Sequence, residues 1–585
     1  MSCGKGLSLD PLEPSAGDKY DAADGQEADT ADAAAEDASF DEPDSREGDA
    51  PDASDAFDQS VDSYADAPEA RPDLSADGDG AVDGRDDVSI DSDGSRDDVS
   101  DVQTEDDVED APIDANVEAG DGCTVACGWP EADYYVDASV AMDGDGSKFS
   151  PFKTITRAVE AHRAPPAQAK RAYVAPGVYD RTLGEKFPLE LRGLSLQGAG
   201  QNATFVVGTG ILDHAGDGGS FYGQYSVTIV AGDRDLPTTI ADLSVRPENP
   251  VPTLNYFGIF CDRGSATGEV APPAGQTIVD RATVGPGYHA SILAGTSTTL
   301  TNVTGCNVLV RSSVLTGGWA GVRANGCKPT GVSVPVMVEM GGDEPSKGNE
   351  ISWMQAPDDA ASGASLEGCV NRSRFQNNSF VDSSYAIRIE RGLGTSSSVD
   401  VITLRDNTFE RLAAGGVVVT GTGVRVDELS GNRFRQITRG LTQPLAAPAI
   451  ALSIDLRYLG KVRNNQFVGN DFGILLAVAQ ATSGQAPDFG TVADPGNNVF
   501  RCNSALRSSG ADLAFQGTMN PAATWSGTVH LAGNAWDHAS PTVLSDDPIP
   551  NGCDISTIRA PNVTLDLQNG SLSNLACPND RVPGR

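Results

Sequence analysis

The sequence lacks the features that define several large classes of protein. Its 585 residues contain no run of about 18 apolar residues, so no transmembrane helix is predicted. Lysine and arginine total 41 against 83 acidic residues, and the net charge of −42 disfavours nucleic-acid binding, which requires cations against phosphate. The ten cysteines include no paired Cys-x-x-Cys set with histidine partners, so no structural zinc site is predicted. None of the five histidines stands in a metal-ligand spacing or a nucleophile motif.

The acidic excess is concentrated in residues 1–121. This segment holds 40 acidic and 6 basic residues, whereas residues 122–585 hold 43 and 35. Its composition of Asp, Ala, Ser and Gly, with only four aromatic residues, cannot bury enough apolar surface to offset the entropy of an ordered chain. We therefore predict that residues 1–121 form a disordered acidic tether.

The rest of the chain carries a repeated motif in which an aromatic residue follows an asparagine by two positions. The asparagines of the motif are Asn349, Asn378, Asn407, Asn432, Asn465, Asn498 and Asn534, at steps of 29, 29, 25, 33, 33 and 36 residues. The residue two positions later is Ile351 in the first copy, Trp536 in the last and Phe in the others. Asn tolerates the left-handed backbone conformation of a sharp turn. Because a unit of about 30 residues cannot bury its own apolar face, the motif predicts stacked coils with the aromatic residues inside.

The ten cysteines are scattered through a chain rich in Gly and Asn, which fits disulfides and an oxidising compartment. Cys123 and Cys127 can link the entry to the folded part, and Cys553 and Cys577 can link its end. The spacing leaves the connectivity open. Cys3 with the flexible acidic stretch behind it resembles the mature end of a bacterial lipoprotein. That resemblance implies a lipidated Cys3 at the cell surface, and the alternative is a free cysteine in a disordered terminus.

A segment near the start of the folded part resembles a known family. Tyr134-Tyr-Val-Asp137 is followed by a Gly/Asp turn, by Pro151-Phe-Lys-Thr-Ile155, where Phe152, Ile155 and Val159 recur at helical spacing, and by Pro176-Gly-Val-Tyr179. The segment is similar to the N-terminal cap, a domain family of unknown function, of secreted bacterial pectin-lyase-like proteins. The resemblance implies an all-β fold, a single-stranded right-handed parallel β-helix with a short cap helix. We assign residues 122–205 to the cap and first coils, and residues 206–585 to the repeats and a C-terminal cap.

The resemblance does not identify an activity, because the same fold serves esterases, lyases, hydrolases and proteins without known activity. The motif set of polygalacturonases, the pectin methylesterase element and the clustered Asp ligands of calcium-dependent pectate lyases are not evident. We predict a secreted or cell-surface protein that binds polysaccharide or another extracellular partner, with contact to membranes only through a lipid anchor. The alternative is a polysaccharide lyase or glycoside hydrolase that acts on an acidic glycan.

The best candidates for ligand contact are charged residues that flank apolar residues in predicted strands. They are Arg388 and Glu390, Arg425 and Asp427, and Asp455 and Arg457. Alternation places these side chains outside the stack, and an arginine beside a carboxylate can hold a sugar through paired hydrogen bonds. The competing interpretation is a row of solvated ion pairs that keeps the protein soluble. His289 has the best context of the histidines for a sugar contact.

No catalytic residue and no metal site are assigned. The only cofactor considered is calcium, which Asp143 and Asp145 would bind in the loop of the cap. A simple Gly/Asp turn is the alternative explanation of that loop.

Overall fold

The computed structural model describes residues 128–163, 168–212, 225–232, 236–248, 256–261, 275–295, 306–325, 336–354, 361–367, 370, 372–390, 400–420, 424–438, 449–478, 486–503, 511–517, 525–538, 541–544, 553–557, 562–573 and 575. Within them nearly all strand pairs are parallel, and each strand pairs with strands one coil before and one coil after it. Three stacked sheets result, and each complete coil contributes one strand to each sheet. The fold is a right-handed parallel β-helix, as the sequence predicts.

Sheet 1 is formed by the strands that open each coil. Its strands are Tyr134–Val136, Lys170–Val174, Leu194–Gly198, Thr238–Ala241, Thr277–Asp280, Val308–Arg311, Val338–Gly341, Ser373–Gln376, Asp400–Arg405, Val424–Ser430 and Leu459–Arg463. Single bridges at Asp488 continue this sheet to the parallel pair Gly527–His530 and Val563–Asp566.

Sheets 2 and 3 complete each coil and are joined by the strand Val314–Asn325, which runs through both. Sheet 2 contains the shorter strands Gly177–Tyr179, Thr204–Val207, Ser244–Arg246, Thr283–Val284, Glu350–Met354, Ser379–Val381, Thr408–Glu410, Arg433–Arg435, Gln466–Val468, Val499–Arg501, Ala535–Trp536 and Ser571–Leu572. Sheet 3 contains Leu189–Glu190, Tyr225–Ala231, Tyr256–Cys261, Tyr288–Gly295, Ser362–Glu367, Tyr385–Glu390, Gly415–Thr420, Ile450–Asp455, Phe472–Val478, Ala511–Gly517 and Cys553–Ser556. Gly210–Leu212 and Val543–Leu544 are short additional strands on sheet 3.

The helix Ile155–His162 covers the first coils. Ile155 and Val159 are buried and join the main core together with Phe152, as their helical spacing predicts. The carboxylate of Glu185 accepts hydrogen bonds from the backbone N–H groups of Ile155 and Thr156 at 2.6 and 2.8 Å. A negative charge at this end satisfies free N–H groups and complements the helix dipole. Two 3-10 turns, Pro345–Lys347 and Leu456–Tyr458, also occur among the described residues.

The repeated asparagines lie at equivalent positions between sheets 1 and 2 and form an asparagine ladder of Asn349, Asn378, Asn407, Asn432, Asn465, Asn498 and Asn534. Each side-chain Nδ2 donates to the Oδ1 of the next asparagine at 2.8–3.0 Å. Nδ2 also donates to a backbone carbonyl near the end of a sheet 1 strand, and Oδ1 also accepts the backbone N–H of the preceding asparagine. The side chain of an internal member therefore makes four hydrogen bonds, which is its full capacity.

The left-handed conformation falls one residue before the position that the motif predicts. Positive φ angles occur at Asn377, Asp406, Gly431, Asn464 and Asn497, each of which immediately precedes a ladder asparagine. The ladder asparagine itself is buried and turns its side chain inward. Two neighbouring residues of the motif therefore have different roles. The first, in the left-handed conformation, turns the chain, and the second, the asparagine, forms hydrogen bonds with the neighbouring coils.

The aromatic residues of the motif form an aromatic stack of Phe380, Phe409, Phe434, Phe467, Phe500 and Trp536. Successive ring centroids are 4.5–5.4 Å apart, the interplanar angles are 5–21°, and every ring is fully buried. The predicted position of these rings inside the coils is confirmed. Their spacing follows the rise of about 4.8 Å between paired strands.

A disulfide joins Cys261, at the end of a sheet 3 strand, to Cys306, which precedes the next-but-one strand of sheet 1, and Cys502 is also disulfide-bonded. Cys261 and Cys306 are buried, and their Cα atoms are 5.8 Å apart. The sequence did not predict this pair. The predicted pair Cys123–Cys127, Cys577 and the side chain of Cys553 lie outside the described residues, as does Cys3. No helix among the described residues is long and apolar enough to span a membrane.

Replacing one ring of the aromatic stack tests the packing. Phe409→Ala should lower the free energy of unfolding by about 3–5 kcal/mol, because a fully buried ring is lost and leaves a cavity. Phe149→Ala is the control, since Phe149 is 81% exposed and the same change there should have an effect of about 0.5 kcal/mol or less. Urea denaturation of the two variants and the parent measures the difference, and equal effects would contradict the packing described here.

Replacing one ladder asparagine tests the hydrogen bonds separately. Asn407→Ala removes four of them. The backbone N–H of Asn378 and the carbonyl of Phe375 lose this partner, and Asn378 Nδ2 and Asn432 Oδ1 each lose one of two bonds. At about 1–3 kcal/mol for each orphaned group, the loss should exceed about 3 kcal/mol. Asn202→Ala at an exposed turn is the matched control and should be nearly silent. A small effect at Asn407 would show that water or a rearranged coil replaces the ladder.

Candidate functional site

The six charged residues that the sequence selects do not form one patch. Four of them belong to sheet 3 or its edge, namely Arg388, Glu390, Asp455 and Arg457. Arg425 and Asp427 lie on the strand Val424–Ser430 of sheet 1. The prediction of a single face is therefore wrong, because alternation shows that a side chain points outward but not which of three sheets its strand joins.

Within each pair the two charges bond to each other. Arg388 binds Glu390, Arg425 Nε lies 2.5 Å from Asp427 Oδ1, and Arg457 Nη2 lies 2.7 Å from Asp455 Oδ2. Residues two apart in a strand share a face, which explains the first two pairs, and Asp455 meets Arg457 because it caps the 3-10 turn that contains Arg457. An arginine whose carboxylate partner is already in place is a poorer clamp for a ligand. The arrangement agrees with the solvated ion-pair interpretation for the exposed pairs.

His289 lies in a chain of polar contacts on the outer face of sheet 3. Arg323 Nη1 donates to His289 Nε2 at 3.0 Å, and Arg323 Nε donates to Glu367 Oε1 at 2.8 Å. The ring of Trp319 is 4.8 Å from the imidazole, and that of Phe257 is 5.8 Å away. Because a guanidinium can only donate, the imidazole must accept and is neutral. Burial, with the charge of Arg323, lowers the pKa of His289 to about 4.

A groove of about 510 Å³ opens on the outer face of sheet 1 near its first strands, and we call it the sheet 1 groove. The polar residues that line it are Asp133, Lys170, Arg171, Ser195, Gln197, Thr239, Asp280 and Arg281. Strand register brings them together, since Arg171 pairs with Ser195 and Tyr173 with Gln197 on the next strand. Arg171, Ser195, Gln197, Thr239 and Asp280 are outward side chains of four successive coils, whereas Lys170 alternates with Arg171 and pairs with the buried Leu194.

The acidic residues of the groove already have partners. Asp280 binds Arg281 and also Arg311, whose Nε is 3.2 Å from its carboxylate. The Asp133 carboxylate accepts the backbone N–H of Arg171 at 2.8 Å. The side chains of Lys170 and Arg171 make only neutral hydrogen bonds, and neither forms an ion pair with any described residue. The groove therefore presents two cations without a carboxylate partner.

A third cluster lies in the last coils, where Asp512, Asp537 and Asp554 bring carboxylate oxygens within 4.8 Å of one another. Asn503 Nδ2 donates to Asp512 at 2.8 Å, and the backbone N–H of Cys502 donates to Asp537 at 2.9 Å. Two partly exposed side chains contact the cluster: Arg501 lies 3.3 Å from Asp537, and His538 lies 2.8 Å from Asp554. We call these three residues the aspartate cluster.

Burial dominates the electrostatics of the aspartate cluster. It raises the pKa of Asp512 well above the usual range, and the nearby charge of Asp537 raises it further. Burial also raises the pKa of Asp537. The sequence analysis missed the cluster because the three residues are 25 and 17 positions apart and stand in no motif. The available signal was an aspartate between apolar neighbours in both Ala511-Asp512-Leu513 and Cys553-Asp554-Ile555.

Asp143 and Asp145, the residues considered for calcium, form hydrogen bonds with the backbone of the turn. Asp143 accepts the backbone N–H of Lys153 at 2.8 Å, and Asp145 accepts that of Ser147 at 2.9 Å. Such bonds are the ordinary use of aspartate in a Gly/Asp turn.

Residues 140–247 and 330–543 match a family described as "Protein of unknown function (DUF1565)". The chain belongs to this family. The match covers more than half of the sequence and contains the groove residues from Lys170 to Thr239, together with Asp512 and Asp537. Asp133, Asp280 and Asp554 lie outside the DUF1565 match. No curated protein matches the sequence.

Several solved structures are similar to the chain at low identity. Pectin methylesterase from Erwinia chrysanthemi is 12% identical over 52% of this chain and 90% of its own, with a TM-score of 0.34. The GH87 α-1,3-glucanase catalytic unit from Streptomyces thermodiastaticus is 12% identical over 77% and 70%, with a TM-score of 0.37. A mannuronan C-5 epimerase A-module from Azotobacter vinelandii is 14% identical over 76% and 98%, with a TM-score of 0.33. Similarity at this level does not bear on the activity or substrate of this protein.

The buried imidazole predicts a specific acid sensitivity. Between pH 6.5 and about 4 an unfolded chain protonates His289 while the folded protein does not, so the free energy of unfolding should fall as the pH falls through this window. The contribution is at most about 3 kcal/mol. In His289→Gln this part of the fall should disappear. Urea denaturation at several pH values between 7 and 4 compares the two proteins, and parallel curves would contradict the prediction.

Proposed function

We propose that this protein binds an acidic polysaccharide along the outer face of sheet 1, with the sheet 1 groove as its principal contact. The observation that carries the proposal is Arg171, an outward cation of the groove that forms no ion pair with a described residue; Lys170, which also forms none, precedes it in the strand and lines the same groove. The folded part of the chain is itself acidic, with 43 acidic and 35 basic residues in 122–585. Local cations on an acidic protein favour an anionic ligand.

The lining of the groove also suits a carbohydrate. Ser195, Gln197 and Thr239 add hydroxyl and amide groups that can exchange hydrogen bonds with sugar hydroxyls. The Lys170 ammonium lies over the ring of Tyr134, 4.9 Å from its centroid. Cationic side chains make charge-assisted hydrogen bonds to carboxylates, and these are stronger than bonds between neutral groups. The groove thus combines charge for an acidic sugar with polar groups for its hydroxyls.

The shape of the sheet favours a polymer over a small molecule. Beyond the groove, strand register places Glu339, Arg374, Thr403, Glu428 and Lys461 in one outward row on successive coils. The step between neighbouring strands is about 4.8 Å, which is comparable to one sugar ring along a chain. An extended glycan held in the groove can therefore continue along the sheet. The buried disulfide supports a location in an oxidising compartment, where such polymers occur.

The alternative, a lyase or hydrolase, needs carboxylates that a substrate can reach. The aspartate cluster brings carboxylates close together, but Asp512 and Asp554 are only 2% and 1% exposed. A sugar cannot approach both of them in this arrangement. Binding is therefore the better-supported function, and chain cleavage is kept as an outcome of the test.

The test is a panel of acidic and neutral polysaccharides, assayed for binding and for cleavage with the full chain. The double variant Lys170→Ala/Arg171→Ala should weaken binding of the acidic glycan by about 10-fold or more, because each charge-assisted bond contributes about 1.5–3 kcal/mol. Raising the salt concentration should weaken binding by the parent in the same direction.

The matched control removes two other arginines, in Arg388→Ala/Arg425→Ala. These lie on different sheets and bind their own carboxylates, so this variant should bind like the parent. If the control loses binding and the groove variant does not, the ligand surface lies at the residues that the sequence selects. If no acidic glycan binds the parent, the proposal is wrong.

A further inference from the structure

The aspartate cluster interrupts a column of small residues on sheet 3. Strand register aligns Gly321, Gly363, Ala386, Gly416, Ala451 and Gly473 on successive coils, and the next two members of the same column are Asp512 and Asp554. A Cβ atom added at Gly363 would lie 2.4 Å from the ring of Phe380. The column therefore faces the aromatic stack inside the β-helix, where only small residues fit. Two aspartates in this column require a physical reason.

The two aspartates oppose each other on paired strands. Ala511 pairs with Cys553 and Leu513 with Ile555, so Asp512 stands directly across from Asp554. Like charges in this relation repel each other, and a buried carboxylate without a cation is costly. The described groups around them are Asp537, His538, Arg501, the amide of Asn503, and the backbone N–H groups of Thr542 and Cys502, which donate to Asp554 and Asp537. Among these, the arginine contacts Asp537 and the histidine contacts Asp554, which leaves Asp512 with only a neutral amide.

One atom of the cluster has no partner at all. Asp512 is 2% exposed, and its Oδ2 makes no hydrogen bond with any described residue, whereas its Oδ1 is bonded to Asn503. Buried carboxylate oxygens normally have a donor or a cation. Asp512 Oδ2 lies in a carboxylate that is close to the carboxylates of Asp537 and Asp554. A partner that all three carboxylates can bind at once is a cation.

We propose that Asp512, Asp537 and Asp554 bind one divalent cation, and that Ca²⁺ is the ion they are suited to. Ca²⁺ takes carboxylate oxygens at about 2.3–2.6 Å, so two ligands of one ion can be up to about 5 Å apart. The separations within 4.8 Å satisfy this limit. His538, bonded to Asp554, then orients a ligand from outside the first coordination sphere.

The site also has a path to solvent. The side chain of Asp537 is 30% exposed and that of His538 is 54% exposed, so an ion can enter from this rim although the other two aspartates are covered. The ligands come from a sheet 3 strand, from the corner after a sheet 2 strand and from the last sheet 3 strand. One ion would therefore tie the final coils together and stabilise the end of the β-helix.

The first experiment measures the thermal unfolding midpoint of the chelator-treated full chain as Ca²⁺ is added. The midpoint of the parent should rise with the Ca²⁺ concentration, as expected for a ligand that binds only the folded state. Asp512→Asn preserves the shape of the side chain and should weaken the apparent affinity by at least about 10-fold. Asp455→Asn is the matched control, because Asp455 is also buried but is bonded to Arg457, and its response to Ca²⁺ should match the parent.

A second experiment does not depend on how Asp512→Asn folds. Tb³⁺ replaces Ca²⁺ at oxygen sites, and Trp536, next to Asp537 in sequence, can sensitise its emission. The parent should show emission that Ca²⁺ displaces, and Asp537→Asn, at the half-exposed rim, should lose most of it. Emission that Asp537→Asn retains in full, or a chelated parent that does not respond to millimolar Ca²⁺, would overturn the proposal. Higher stability of Asp512→Asn than of the parent without any Ca²⁺ response would instead indicate carboxylates that share a proton.

Discussion

The side-chain amide of a buried asparagine, fully hydrogen-bonded to the coils on either side, is the interaction on which the rest of this structure depends. A primary amide has two donors and can accept two bonds, and Asn407 uses all four on Asn378, Asn432 and Phe375. A buried amide with fewer partners would destabilise the fold, so each coil from Asn349 to Asn534 supplies the same residue at the same place. This requirement fixes the register between sheets 1 and 2. The stacked rings two residues later then follow at the strand spacing.

Because the same cross-section repeats from coil to coil, the size of the inward side chains on sheet 3 is limited. Where a ring such as Phe380 occupies the interior, the opposite position on sheet 3 must be small, as Gly363 is. The same limit explains why an aspartate is unusual in the inward column of small residues on sheet 3 that contains Gly363. Asp512 and Asp554 occur where the described coils near their end, and there carboxylates lie inside together with the last two rings of the stack, Phe500 and Trp536. The interior of these coils thus combines packed rings with a second, charged chemistry.

The outer faces follow a different rule, since most charged side chains neutralise each other locally. Pairs such as Arg425 and Asp427 in one strand, or Arg405 and Glu428 on neighbouring strands, leave little net charge for a ligand. Exposed pairs of this kind add little stability. Lys170 and Arg171 form no ion pair within the described part and line a concave surface, and for that combination the groove is a better candidate for binding than the more numerous charges elsewhere.

The sequence by itself determined the stacked coils, the inward rings and the cap helix, because each follows from a local period of residues such as Phe409 or Val159, and the family resemblance of its cap segment implied that the stack is a parallel β-helix. It also showed that Arg388 and Arg425 point outward. Only the tertiary structure decided which sheet each of them joins, since the loops between strands vary in length and alternation is the same in all three sheets. The disulfide between Cys261 and Cys306 and the aspartate cluster depend on register between coils. Residues many positions apart meet there because parallel strands are stacked, and no local pattern in the sequence records that contact.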